Sequence, residues 1–322
     1  MIDAPTLPHV HQSRFRAMGS DAHLIVVADD TALLASAIAR VAQLERRWSR
    51  FVPLSEISIL NRRAGRTMRV SAETQLLVER AIAAWHLTGG AFDPTVLGDV
   101  IRAGYDRSFA ELDAITDSGV SALQRGATRI AVGDGLVRMP CGVGFDPGGI
   151  GKGLAADLVA DEAMAAGATG VCVNLGGDLR VRGRGPSDDG WPIAVTHPGV
   201  AEPIATLVLA DGAIATSTTV LRRWWVAGQR RHHLIDPATG APSETDLSLV
   251  SVVAGEGWTA EVLAKAELLR GSARVFDLVG GTAAEALAVT VDGRVLTTPG
   301  FSRFVAGAVP ERVAFAALEV AS

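Results

Sequence analysis

Helical and strand patterns alternate along this 322-residue chain, and the alternation predicts an α/β (α+β) fold: a mixed sheet with flanking helices. Three observations carry that expectation. Apolar residues recur at three- and four-residue steps in two long segments, around 34–48 and 77–85. Short continuous apolar runs, at Gly170–Asn174 and Leu247–Ala254, read as buried strands. Some strands are joined by tight Gly-Asp or Asp-Gly turns and others by helices, so hairpins and crossovers both occur. The length allows one large domain or two modest ones with ample core, and 48% of residues are hydrophobic. There is no internal repeat or low-complexity linker, and Asp188-Asp189-Gly190 reads as a turn rather than a domain boundary.

His23–Ala28 is the first expected strand. Asp29, Asp30 and Thr31 then offer an N-cap to a helix carrying Leu34, Ile38, Val41, Leu44 and Trp48. A short element, Ser55–Asn61, follows Pro53. Ser71 caps a second long helix with Leu77, Val78, Ala81, Ile82 and Trp85, stopped by Gly89-Gly90. Residues 99–127 are irregular and read as loop and short helix. Thr128–Val132 and Leu136–Met139 form a hairpin through Gly133-Asp134-Gly135. A helix runs from Gly153 to near Gly167, then the strand Gly170–Asn174 closes in Leu175-Gly176-Gly177-Asp178. Leu179–Arg182, Trp191–Thr196, Ile204–Leu209, Ala213–Thr216 and Leu247–Ala254 are further strands. Thr259–Leu269 is a helix, and Glu285–Val291 with Arg294–Thr297 a last hairpin through Asp292-Gly293.

Net charge of −5 and a pI near 5.8 argue against a nucleic-acid partner, which needs a basic face. Arg222, Arg223, Arg230 and Arg231 cluster locally beside tryptophans, not as a stripe. Cys141 and Cys172 lack metal-ligand spacing and are too few for a disulfide framework. Residues 1–18 contain no apolar signal-peptide core, and no segment is long and apolar enough to span a bilayer. A cytoplasmic protein without membrane insertion is expected.

The stretch with most chemistry is Phe145-Asp146-Pro147-Gly148-Gly149-Ile150-Gly151-Lys152-Gly153, which runs straight into a helical pattern. Glycines let a backbone approach a ligand closely, and a helix N-terminus offers unpaired N–H groups to phosphate. Lys152 adds a full charge, and Asp146 is placed to accept from a ribose hydroxyl or a ring N–H. A P-loop requires Ser or Thr after the lysine, where this chain has Gly153, and a dinucleotide fingerprint is matched only loosely. Taken alone, the stretch admits two readings: a phosphate cradle, or a strand-to-helix turn that binds nothing.

Four more stretches are rich in turn and polar residues: Thr88–Thr95, Asn174–Asp178, Ala215–Thr218 and His232–Gly240. Singly, each is ordinary loop punctuation. In this order, together with Met18-Gly19-Ser20, Trp48-Ser49-Arg50-Phe51, Ser55–Asn61, the glycine loop and Ala260–Ala266, they resemble the ApbE family, the FAD:protein FMN transferases. The resemblance covers residues 14–305 as a single domain of ApbE-like, T-fold-related architecture, with 1–13 an N-terminal extension and 306–322 a C-terminal tail.

The resemblance implies transfer of FMN from FAD to a threonine or serine of an acceptor flavoprotein or flavin-carrying domain, with release of AMP and help from Mg²⁺. It implies that Met18, Phe51, Ala91, Phe92, Asp93, Asp146 and Lys152 bind FAD, with Gly176 and Gly177 nearby. His233 and Asp236 would lie close to the pyrophosphate, and His233 or a nearby carboxylate would take the acceptor proton. The metal would be held by the Gly149 carbonyl and by side chains at 261 and 265.

Here the sequence departs from the family pattern. Glu261 and Lys265 replace an aspartate and a threonine, Thr216-Ser217-Thr218 replaces Thr-Ser-Gly, and Ser20 replaces threonine. An ammonium has no lone pair to give a metal. Weaker dependence on Mg²⁺ is therefore expected, with Lys265 joining His233 and Asp236 in catalysis and any remaining metal held by Gly149, Glu261 and the phosphates. FAD hydrolysis to FMN and AMP, or flavin binding without turnover, are the alternative activities.

Overall fold

A computed structural model describes residues 9–112, 115–116, 119–186 and 190–315; the expected turn at Asp188-Asp189 lies outside them. Its centre is an eight-stranded sheet whose strands lie side by side in chain order, every neighbouring pair antiparallel. These are β1 (Val10–Ala17), β2 (Ser20–Val27), β3 (Gly170–Leu175), β4 (Asp178–Gly183), β5 (Gly212–Thr218), β6 (Leu247–Ala254), β7 (Glu285–Thr290) and β8 (Val295–Thr297). The meander is interrupted twice by helices, which gives the α+β form of the expected mixed architecture. β1 lies ahead of the first strand the sequence predicts. It is an edge strand whose residues alternate between exposed and half-buried, so it carries little apolar period, and its pairing already begins at Val10. β6 is buried at all eight positions, as a central strand covered on both faces must be.

The long insertion between β2 and β3 holds α1 (Ala32–Trp48), α2 (Glu56–Arg62), α3 (Ala72–Leu87), α4 (Leu97–Arg102) and α5 (Gly151–Ala165). α6 (Gly257–Arg270) follows β6. One core joins α1, α3 and α5 to β2 and β3, and a second joins α6 to β5, β6 and β7. The opposite face of the sheet is covered by the antiparallel pair Trp191–Val195 and Ala205–Leu209 and by residues near Phe301–Phe315. The residues expected to form a strand at Thr128–Val132 begin as a 3₁₀ turn, Ala127–Arg129, before pairing from Ala131. Among the described residues, no helix is long and apolar enough to cross a membrane.

The crossing of α5 and α6 sets the geometry of everything that follows. Neither helix is capped by its own preceding residue. Asp157 of α5 accepts from Gly257 N (2.6 Å) and Trp258 N (3.0 Å), and Glu261 of α6 accepts from Gly153 N (2.8 Å). Each helix thus satisfies orphan N–H groups of the other. The contact needs glycine on both sides, since a Cβ at Gly153 would collide with the Gly257 backbone and one at Gly257 would meet Gly153 O at 2.6 Å.

Burial pushes the Asp157 carboxyl up to about 7, against the pull of those two N–H donors and of Arg180. The native chain then keeps a proton that the unfolded chain loses near the ordinary 3.8, so this group's stabilisation drains away as pH rises from 3.8 to about 7. Asp157→Asn has one acceptor oxygen for two donors, and is expected to lose about 1–3 kcal/mol in denaturant unfolding and to flatten that pH limb.

Candidate active site

A cleft of about 440 Å³ opens beside the α5–α6 crossing. One end is aromatic and apolar. Phe51 and Tyr105 face each other with ring centroids 5.8 Å apart, and Phe109 and Trp224 lie 6.4 and 5.5 Å from Tyr105. The Arg50 guanidinium stacks on the Phe51 and Tyr105 rings at 4.1 and 4.7 Å and lies 3.7 Å from Asp146 Oδ1. The glycine loop, Gly148–Gly151, lines the same cleft, together with Lys152, Lys265, Arg222 and His233.

Each feature has a local cause. Asn61 clamps the peptide before the loop from both sides: its side chain donates to Phe145 O (2.9 Å) and accepts from Phe145 N (2.7 Å). Asp146 N then donates to Pro94 O (2.7 Å), and the Asp146 carboxylate accepts from Gly148 N (2.9 Å), which turns the loop into α5. Asp93 accepts from the Thr95 backbone (2.7 Å) and hydroxyl (2.5 Å), so it shapes the Ala91–Thr95 turn while lining the cleft. Met18 sits in the left-handed region (φ 51°) at the β1–β2 turn, its N–H held by Glu45 (2.8 Å).

Lys152 is ion-paired with Asp178 and lies 3.5 Å from Glu261. Lys265 reaches across to donate to Gly148 O (3.3 Å). Arg222, itself at φ 49°, donates to Gly19 O (3.2 Å) and Ser20 Oγ (2.8 Å). His233 Nδ1 is buried without a hydrogen-bond partner. Burial, and then the nearby Arg222 and Lys265 charges, hold the His233 imidazole well below its ordinary 6.5, so it is neutral at neutral pH.

Of the residues singled out in the sequence, Met18, Phe51, Ala91, Phe92, Asp93, Asp146, Gly149, Lys152, His233 and Lys265 all line this one cleft. Four others take different places, among them Glu261, which caps α5 by accepting from Gly153 N. Asp236 faces an adjoining groove and caps its own turn by accepting from Ala238 N (2.8 Å). Gly176 and Gly177 form the β3–β4 turn at positive φ (69° and 95°), their N–H groups going to Asp21 O and Asn174 Oδ1. That turn meets the site through Asp178, its next residue. Sequence reasoning gave no role to Arg50, Tyr105 or Arg222. Tyr105 is the chain's single tyrosine, and Arg222 belongs to a visible arginine cluster, but their placement depends on contacts far along the chain.

The donor set does not fit Mg²⁺. That ion takes a near-octahedral shell of oxygens, one or two of them from carboxylates. Glu261 already accepts from Gly153 N and faces Lys152, and position 265 presents only donors. Among the described residues, no three His, Cys, Asp or Glu side chains converge as a metal group would.

The chain is similar to known proteins over most of its length. It is 28% identical over 285 residues to the FAD:protein FMN transferase of Vibrio cholerae, spanning 86% of this chain and 84% of that one. It is 29% identical over 237 residues to the Treponema pallidum FAD:protein FMN transferase, spanning 67% and 65%. The crystal structure of the ApbE protein from Thermotoga maritima superposes with a TM-score of 0.83 at 26% identity, over 93% of this chain and all of that one. The apo Pseudomonas stutzeri flavinyl transferase shares the fold, with a TM-score of 0.80 at 22% identity over 95% of this chain and all of that one. The family model for ApbE matches residues 18–288, and the chain belongs to the ApbE family.

Proposed function

We propose that this protein transfers FMN from FAD to a threonine or serine hydroxyl of an acceptor flavoprotein or flavin-carrying domain. One observation carries the reading: a single cleft joins an aromatic wall to a cationic, glycine-lined end, the two halves a flavin dinucleotide needs. In this reading the aromatic Phe51–Tyr105 region takes the flat ring, while Lys265, Arg222 and the glycine loop take the pyrophosphate. Neutralising and positioning the phosphoryl oxygens is most of what such a transfer requires.

The acceptor oxygen attacks the phosphorus on the FMN side. The bond from that phosphorus to the bridging oxygen breaks, and AMP leaves with the oxygen. The acceptor proton passes to a base. Asp178 and Glu261 are committed to Lys152, and Asp146 faces Arg50, whereas His233 is neutral with a free ring nitrogen. His233 is therefore the base of this reading, and Asp236 shapes the turn that carries it. No step runs through a metal.

The test incubates the protein with FAD and a candidate acceptor domain and follows intact mass. A gain corresponding to FMN, lost when the acceptor hydroxyl is replaced by alanine, is the expected result. AMP release with no mass gain would assign water as the acceptor and make the enzyme a pyrophosphatase. FAD binding with neither product would make it a flavin carrier.

A further inference from the structure

The two lysines of the cleft hold their charges differently. Lys152 faces two nearly buried carboxylates, Asp178 and Glu261, so negative charge outweighs its own and little is left for a ligand. Lys265 donates only to the neutral Gly148 carbonyl, and among the described residues no carboxylate lies within ion-pair distance of it. Its stem crosses Gly149 so closely that a Cβ there would strike the ammonium and would meet the Phe92 ring at 2.9 Å. The charged end is thereby fixed over the glycine loop, where the pyrophosphate of FAD is placed by the reading above. Arg222, whose hydrogen bonds also go to neutral oxygens, lines the same cleft.

A pyrophosphate needs compensation for its charges in a cleft that excludes water, and many enzymes supply it with a divalent cation. At this site such a cation would meet an ammonium and a carboxylate already used as a helix cap.

We propose that the Lys265 ammonium, fixed over Gly148-Gly149, takes the part of a divalent cation at the pyrophosphate, so that this chain binds FAD without metal. The inference rests on the cleft being the FAD site. Lysine suits the part as a compact point charge with no acceptor of its own to repel the phosphates. Burial, joined by Arg222, holds the Lys265 pKa below its ordinary value against the upward pull of Glu261 and Asp146. A bound dianion acts in the same sense as those carboxylates and secures the charged form.

The experiment is a calorimetric titration of FAD into the native protein, in EDTA and in millimolar Mg²⁺. Dissociation constants agreeing within about twofold are expected, a difference worth less than ~0.5 kcal/mol. Lys265→Thr, checked for an unchanged melting temperature, is expected to bind about ten- to a hundredfold more weakly in EDTA and to recover affinity when Mg²⁺ is added. Lys265→Arg should keep metal-free binding. Native binding that is lost in EDTA and restored by Mg²⁺ overturns the proposal while leaving the flavin-transfer reading intact. Lys265→Thr binding like the native protein in EDTA overturns it too. Absence of FAD binding in both buffers overturns the FAD reading itself, and this inference with it.

Discussion

His233→Ala is expected to slow FMN transfer by about a hundredfold or more, the usual worth of a positioned general base, while FAD affinity stays nearly unchanged. The imidazole carries no charge at neutral pH, so its removal takes little attraction from the pyrophosphate. What it removes is a neutral imidazole that lines the cleft and whose buried Nδ1 has no hydrogen-bond partner. The pH profile supplies an independent check. The base is competent above its pKa, and burial, assisted by Arg222 and Lys265, sets that pKa well below 6.5. The acid limb of kcat/KM, which reports the free enzyme, should therefore fall below pH 6.5 and should be missing from the residual activity of His233→Ala. His233→Gln keeps volume and polarity without a comparable base, and is expected to be as slow. A parallel fall in affinity, transfer and melting temperature would instead make His233 a packing residue.

Much of this site was legible because its parts are local. The glycine run followed by an apolar helical pattern announces a loop entering a helix, and α5 begins at Gly151. Ser71 announces a cap, and it accepts from Thr74 N three residues on; Ser55 opens the short element the sequence marks and caps it in the same way. The aromatic wall was not legible, because Phe51, Tyr105 and Phe109 are backed by buried Trp224 from far along the chain, which packs on Tyr105 and is anchored by donating to Ala103 O 121 residues earlier. Nor could spacing show that Glu261 and Asp157 are exchanged caps between two helices. From the sequence, Glu261 and Lys265 are an i, i+4 pair that should simply meet on a helix surface. Instead, Glu261 turns to α5 and Lys265 to the glycine loop. Asp236 is a different case. Its His-His-x-x-Asp-Pro setting looks like chemistry, while its carboxylate accepts from Ala238 N two residues away, the ordinary work of a turn aspartate.

The largest loss of stability is expected from Lys152→Ala, and its cause differs from the one the sequence suggests. Read from the sequence, the substitution removes a phosphate contact worth about 1.5–3 kcal/mol of binding. In the folded chain the ammonium separates Asp178 and Glu261, whose side chains are only 3% and 4% exposed. Deleting it leaves two buried carboxylates without their shared cation, a change that typically costs about 3–5 kcal/mol. It also places their uncompensated charge beside the pyrophosphate, so FAD binding should fall through repulsion as well as through any lost contact. Glu261 caps α5, and a Glu261 driven to protonate or swing away would loosen the α5–α6 crossing that holds Lys265 in place. Denaturant unfolding at pH 7 should therefore show a marked drop for Lys152→Ala. Lys152→Met should behave alike, because volume is not what is missing. Adding Asp178→Asn to Lys152→Met removes one of the two stranded charges and is expected to recover a large part of the stability, a non-additivity that a packing defect would not produce. If the double variant is no more stable than Lys152→Met, the carboxylates are not stranded charges, and Lys152 contributes to the fold through its stem alone.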